Sequence, residues 1–197
     1  FITQKLVDDL TISLGKLATK NKNIVLPGFT HLQHAIPVSL WQYLGAYIEM
    51  FNRDHVRLYN AAKNIRLTLG AGALAGTMIP SADYNLKKYK IQLHSIESTK
   101  NSLDAVSDRD FVIESLNALA TTAMHMSRLA EDAILWASKE FDFIDIDDAF
   151  CTGSSLMPQK KNADVLELVR GNTGRLYGNL VNVLTTMKGL PLAYNRD

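Results

Sequence analysis

Residues 108–139 read DRDFVIESLNALATTAMHMSRLAEDAILWASK, a stretch without a proline or a glycine. Along it Val112, Leu116, Leu119, Ala123, Met126, Ala130, Ala133 and Ala137 recur in alternating steps of four and three. A helix with this repeat keeps one stripe turned toward a partner helix. The alanines of its second half let the partner's backbone come close. A second segment runs from Ser39 to about Arg66. Leu40, Leu44, Tyr47, Phe51, Leu58, Ala61 and Ile65 hold nearly the same phase, and Asp54 takes the one seam position that is not apolar. A third runs from Asn162 to about Lys188, with Val165, Val169, Leu176, Leu180, Val183 and Met187 on one face. A fourth, about Ile2 to Lys20, places Leu6, Leu10 and Leu17 on one side. Helices of about seven turns are well above the average of about three. The pattern predicts an all-α fold, a long-helix bundle packed near-parallel or antiparallel. No segment predicts a strand, and Ile24–Leu26 is too short to argue one.

Composition narrows the function classes. Twenty-one Lys+Arg face 20 Asp+Glu, a net charge of +1, which supplies no field to draw nucleic acid or an anionic membrane. A chain 47% hydrophobic and 21% charged is not intrinsically disordered. The single cysteine, Cys151, cannot form an internal disulfide, which fits a reducing compartment and a cytoplasmic location. No apolar run approaches the roughly 18 residues of a membrane helix. The opening FITQKLVDD lacks the layout of a signal peptide. Beginning at Phe1 rather than Met and stopping at Asp197, residues 1–197 read as one helical domain cut from a longer protein.

The connections are long for a bundle, where about 2–8 residues suffice. Residues 21–37 (NKNIVLPGFTHLQHAIP) hold two prolines and two histidines, 69–80 (LGAGALAGTMIP) are glycine and alanine, and 141–161 (FDFIDIDDAFCTGSSLMPQKK) pass from acidic to Ser/Gly to basic. Loops of such specific composition are where function sits on a rigid scaffold.

Chemistry concentrates in GSSLMPQKKN, Gly153–Asn162. Ser154 and Ser155 stand on a glycine turn, Pro158 stiffens its exit, and Lys160 and Lys161 precede a helix for which Asn162 is a good N-cap. Cations are disfavoured at a helix N-terminus. Two lysines there make sense if an anion sits between them and takes the free N–H groups of the first turn. On the residues alone, a solvated basic loop fits equally well. In THLQHAIP, His31 and His34 lie three apart. No cysteine and no nearby carboxylate completes a metal site, which leaves acid–base or hydrogen-bonded structural roles. His55, His94 and His125 read as structural. Glu167, inside VLELV, is either a surface residue or a carboxylate that orients a histidine. Tyr194-Asn195-Arg196-Asp197 is a polar cluster whose arginine suits a carboxylate.

Taken together, these segments resemble the argininosuccinate lyase family within the fumarase/aspartase superfamily. GSSLMPQKKN resembles the superfamily's signature loop and PGFTHLQHAIP its second shared region. LGAGALAGT, NSLDAVSDRDF, LELVRGNTGR and PLAYNRD are similar to stretches particular to that branch. The resemblance covers the chain from about residue 27 to its end. It implies the central helical domain alone, from proteins more than twice this length, assembling as a homotetramer whose central helices share a core. It implies reversible elimination of argininosuccinate to arginine and fumarate, without a cofactor or a metal. Carried over position by position, Ser154 matches the proposed catalytic base, with Ser155 adjacent. Lys160 and Asn162 match the carboxylate-binding pair, and His31 an acid–base or positioning histidine. Glu167 matches the glutamate paired with that histidine, Thr30 and Gln33 match substrate contacts, and Tyr194 and Arg196 lie in a substrate-contacting stretch. The family builds each active site from several subunits, so this piece alone is expected to be inactive, with a signature loop that moves.

Three positions depart from the family: His34 where Arg is usual, Ile36 where Gln is usual, and Ala163 where Pro is usual. They bear on substrate fit rather than on reaction class. Two further readings stand beside the first: an inactive, crystallin-like bundle of the same fold, and a sister lyase acting on fumarate, aspartate or adenylosuccinate.

Overall fold

The computed structural model describes residues 2–68, 70–78 and 99–196. Four long helices carry it: α1 (Ile2–Lys20), α2 (Leu40–Lys63), α4 (Asp110–Trp136) and α5 (Asp164–Met187), with a short α3 (Ser102–Ser107) ahead of α4. The all-α bundle expected from the seams is present, with helix ends within about three residues of those read from periodicity. Ser39 caps α2 by accepting from the Gln42 amide at 3.2 Å. Asn101 caps α3 by accepting from the Leu103 and Asp104 amides.

α1 packs on α2, α2 on α4, and α4 on α5. The core joins Val7, Leu14 and Ala18 of α1 to Leu44, Tyr47 and Phe51 of α2, with Met126 and Leu129 of α4 against them. On α1 the buried stripe is not the one expected. Leu6 and Leu17 are exposed, while Val7, Leu14 and Ala18 are buried in steps of seven and four. Thr11 fills the gap in that stripe because its hydroxyl donates back to the Val7 carbonyl at 2.8 Å. On α4 the buried positions are Ala118, Ala120, Thr122, His125 and Ala130; Ala130 lies on the heptad seam, whereas Ala118, Thr122 and His125 lie one residue before it. The cause is that α4 has helices on two sides, so no single stripe is hidden.

The seam position held by Asp54 is fully buried. Its Oδ2 accepts from His125 Nδ1 at 2.6 Å and its Oδ1 from Arg57 Nη1 at 2.9 Å. A carboxylate can enter a core only when both oxygens are engaged. His125, read as structural, is thus a polar cross-link between α2 and α4. His55 likewise ties α2 to α1 through Asp8 and Gln4. His94 falls outside the described residues.

The absence of strands expected from the sequence is corrected. Residues 25–39 form an antiparallel hairpin, β1 (Val25–Thr30) and β2 (Gln33–Ser39). Two prolines hide it from pattern reading. Pro27 and Pro37 face each other in register, which is tolerable because every strand of a two-stranded hairpin is an edge. Gly28 is required: a Cβ there would lie 2.4 Å from the Ile36 carbonyl oxygen. Two further strands, β3 (Thr152–Gly153) and β4 (Lys161–Asn162), pair over two positions only.

Each end of the bundle gathers a different set of connections. At one end α1 finishes and α2 begins, joined by the hairpin. Phe29 of β1 lies against Phe141 and Phe143, just beyond the C-terminus of α4. α5 starts at this end too, its Arg170 paired with Glu131 near the C-terminus of α4. At the other end Asn64 after α2 donates to Glu114 at the start of α4. There the Tyr194 amide, beyond α5, donates to the Ala73 carbonyl.

Candidate functional site

The hairpin places Thr30, His31 and Gln33 at its tip, clear of the bundle. Thr30 and Gln33 are the last paired residues, and His31 and Leu32 form the two-residue turn, with φ of +54° and +58°. Positive φ at both central positions is the turn that follows the twist of a hairpin, usually made by Asn-Gly. Neither residue here has glycine's freedom, so the turn holds about 1–3 kcal/mol of strain for each, a feature common at functional positions. Both side chains are exposed.

The second element is the loop between β3 and β4. Ser154 Oγ accepts from the Leu156 and Met157 amides at 3.3 and 3.1 Å. Two backbone donors aimed at one hydroxyl oxygen favour negative charge on it. Ser155 and Lys160 are exposed, and Lys160 pairs with no carboxylate among the described residues.

Asn162 is not the helix cap expected of it. It stands in β4 opposite Thr152, and α5 starts at Asp164 with Ala163 as a cap that lends no side chain. Asp164 and Glu167 in the first turn complement the helix dipole instead. The anion expected between the two lysines is also partly supplied by the protein. Lys161 Nζ lies 2.9 Å from Asp145 and 2.7 Å from Asp148. Hydrogen bonds to Asp148 and then Asp145 push the Lys161 ammonium well above its usual range, and Lys161 holds Asp145 below the carboxylate range. Sequence reasoning misses this group, although the run DIDD at 145–148 is its signal.

Ser154, Ser155, Lys160, Asn162 and Glu167 therefore gather with Thr30, His31 and Gln33 at one end of the bundle. No side-chain hydrogen bond or ion pair joins His31, Ser154, Lys160 and Glu167 to one another. Tyr194 and Arg196 are at the other end, beyond α5, a helix of 24 residues and so about 36 Å long. One copy of the chain does not bring the two sets together. Among the described residues, no group of three or more His, Cys, Asp or Glu could hold a metal ion. Among the same residues, no helix is long and apolar enough to cross a membrane.

A protein family described as Lyase matches residues 3–178 of this sequence. The chain belongs to that lyase family. Curated relatives agree. The argininosuccinate lyase of Carboxydothermus hydrogenoformans is 54% identical over 193 residues, 98% of this chain and 42% of the relative. That of Caldanaerobacter subterraneus is 53% identical over 196 residues, 98% of this chain and 43% of the relative. Argininosuccinate lyase 2 of Shouchella clausii is 54% identical over 190 residues, 95% of this chain and 40% of the relative. The chain thus spans about two-fifths of the length of the curated relatives it matches. Among solved structures, an EDDS lyase in complex with formate superposes with a TM-score of 0.90 at 30% identity, covering 98% of this chain and 38% of that one. A class II fumarase from Schistosoma mansoni shares the fold, with a TM-score of 0.78 at 20% identity over 97% of this chain and 44% of that one. Membership of this lyase family accounts for the all-α bundle.

Proposed function

We propose that residues 1–197 are the central helical domain of an argininosuccinate lyase, which cleaves argininosuccinate reversibly to arginine and fumarate in the cytoplasm. The observation that carries this reading is the identity of about half the residues, across nearly the whole chain, to relatives named for that activity. Their names favour argininosuccinate over the sister substrates. An EDDS lyase variant with bound fumarate, 29% identical over 96% of this chain, supports a site that accepts fumarate.

The chemistry follows from the groups present. Removing a proton from the carbon beside a carboxylate spreads negative charge onto that carboxylate, and fixed cations and donors lower the barrier. Ser154 is the base, its oxygen supported by the Leu156 and Met157 amides. Lys160, left unpaired by the neighbouring carboxylates, and Asn162 receive the substrate carboxylate. His31 holds or moves a proton near the leaving nitrogen, and Glu167, which it does not touch within one copy, is its carboxylate partner in the assembled site. Thr30, Gln33, Ser155, Tyr194 and Arg196 contact substrate. Because Tyr194 and Arg196 lie a helix length from Ser154, the site is composite and uses more than one copy. A homotetramer supplies those copies, and α5 offers the surface for it. Tyr177, Val181 and Leu184 share one side of that helix and stay 44%, 61% and 46% exposed, an apolar patch of the kind that marks an interaction surface.

The test is fumarate release by the full-length product of the gene that encodes this chain, offered argininosuccinate, adenylosuccinate, aspartate and malate in turn. Argininosuccinate should be turned over fastest. Loss of a general base costs about 10²–10⁴-fold, so Ser154→Ala should reduce kcat by that order. Equal rates for the two proteins would remove Ser154 from its role, and a preference for adenylosuccinate would overturn the substrate.

A further inference from the structure

Residues 141–148 leave the C-terminus of α4 and touch both halves of the site at that end. Toward the hairpin, Phe141 and Phe143 hold Phe29 with ring centroids 5.3 and 6.4 Å away. Toward the serine loop, Asp145 and Asp148 reach Lys161. Lys161 is a stem residue of that loop, paired with Gly153 in a ladder of two positions. Isolated two-stranded pairing is marginal in water even when long, so backbone pairing alone holds the stem weakly. Behind the loop lies a cavity of about 540 Å³, lined among others by Ser138, Ile144, Cys151, Met157 and Lys160. The loop therefore has space on its inner side, and its stem depends on side chains.

The side chain of Lys161 is 32% exposed and takes two carboxylates, whereas those of Asp145 and Asp148 are 92% and 93% exposed. Either pair alone would contribute little, but one ammonium shared by two carboxylates is a network with a fixed geometry. We propose that Lys161 is a positioning residue: with Asp145 and Asp148 it clamps the stem of the Ser154–Lys160 loop to the strut 141–148, which also carries the His31 hairpin. Lys161 touches no reacting atom in this scheme. It keeps the serine loop in register with the segment that its neighbour, the histidine hairpin, is packed on. The consequence for turnover rests on the lyase reading above, while the clamp itself does not.

The experiment uses the full-length protein with Lys161→Gln, Lys161→Arg and the double variant Asp145→Asn/Asp148→Asn. Hydrogen exchange of the amides of residues 153–162 is read beside kcat and KM. Exchange should quicken at least about threefold in Lys161→Gln and in the double variant, as local opening becomes easier. In those variants kcat should fall about fivefold with KM within about twofold, the pattern of a lost arrangement rather than lost binding. Lys161→Arg should restore both, and Tm should stay within about 2 °C, because exposed ion pairs add little to global stability. Unchanged exchange in Lys161→Gln would overturn the clamp. Quickened exchange with wild-type kcat would overturn its link to turnover. Should the wild-type protein release no fumarate from any of the substrates named above, the lyase reading fails, and exchange alone decides the clamp.

Discussion

Replacing His125 by leucine should be among the most damaging single changes in this bundle, and replacing Asp54 by leucine at the same time should undo most of the damage. Asp54 has no exposed surface and divides its carboxylate between His125 and Arg57. His125→Leu keeps the volume roughly constant but leaves Asp54 Oδ2 without its donor, in a place water does not reach. Breaking a buried pair from one side costs about 3–5 kcal/mol. Arg57 still holds Oδ1, so the lower end, about 3 kcal/mol, is expected here. Asp54→Leu leaves His125 Nδ1 without its partner in the core and the half-exposed Arg57 free to reach water, about 1–3 kcal/mol. The double variant closes an apolar seam along α2 and α4; leucine is larger than aspartate, so about 1 kcal/mol of overpacking remains, and the double variant should lie within about 1–2 kcal/mol of wild type because apolar replacement of a buried pair removes the stranded partner. Calorimetry of the full-length protein at one fixed concentration reads all four corners of the cycle, at about 2–4 °C per kcal/mol for domains of this size. A double variant no more stable than His125→Leu would refute the reasoning, because it would place the cost in lost packing rather than in a stranded charge.

Three further outcomes follow from other parts of the molecule. The Tyr43 and Tyr47 hydroxyls both donate to Asp132 Oδ2, at 2.7 and 2.5 Å. Burial, and then those bonds, hold both phenols well above the usual range. Raised folded-state values mean that their contribution is intact below the unfolded value of about 10 and is lost as pH rises beyond it. Ultraviolet titration should therefore find two tyrosines that ionise only on unfolding, and Tyr47→Phe should cost about 1–2 kcal/mol. Gly28→Ala forces a Cβ against the Ile36 carbonyl. It should speed exchange of the hairpin amides while Tm moves less than the about 1–3 kcal/mol of local overpacking implies, because the hairpin stands outside the core. Finally, a Ser154→Ala protein and an Arg196→Ala protein, each nearly inactive, should regain part of the activity when unfolded and refolded together, if sites are shared between copies. Activity no higher in the mixture than in either parent would count against a composite site.

Much of this architecture is legible in the amino-acid sequence, and the limits have physical causes. Long proline-free stretches with apolar residues at helical spacing define the helices to within a turn. The buried face is harder to read. On α1 a half-buried threonine with a self-satisfied hydroxyl stands in the stripe that faces the core. On α4 two partners blur a single seam. The hairpin escapes pattern reading because its prolines and its His-Leu turn imitate a loop: strand signals rest on ladder donors and Asn-Gly turns, and this hairpin has neither at its defining positions. In the candidate site, residues carried by the signature loop are readable as residue types. The clamp on Lys161 is not, because a lysine beside another lysine announces an anion without saying that the chain itself provides one.

The position of the chemistry-bearing segments bears on why a bundle of this kind would assemble. Ser154, Lys160 and His31 sit on connections at one end, and Tyr194 and Arg196 on a connection at the other, separated by the length of α5. A rigid helix cannot fold back to join them. Antiparallel packing of α5 against α5 of a second copy would bring opposite ends side by side, and side chains suited to such packing, Tyr177, Val181 and Leu184 on one side of the helix, are left outside the core. The strained, outward His31 turn fits the same arrangement, since a histidine held away from its own bundle is of use only to something that approaches from outside. On the proposed reading, then, the apolar stripe on α5 and the catalytic loops are parts of one device. A substitution such as Val181→Asp, which touches no substrate group, should abolish turnover by preventing assembly, with loss of activity and loss of the larger species in light scattering appearing together. An active protein that scatters as a monomer would separate the two and end the argument.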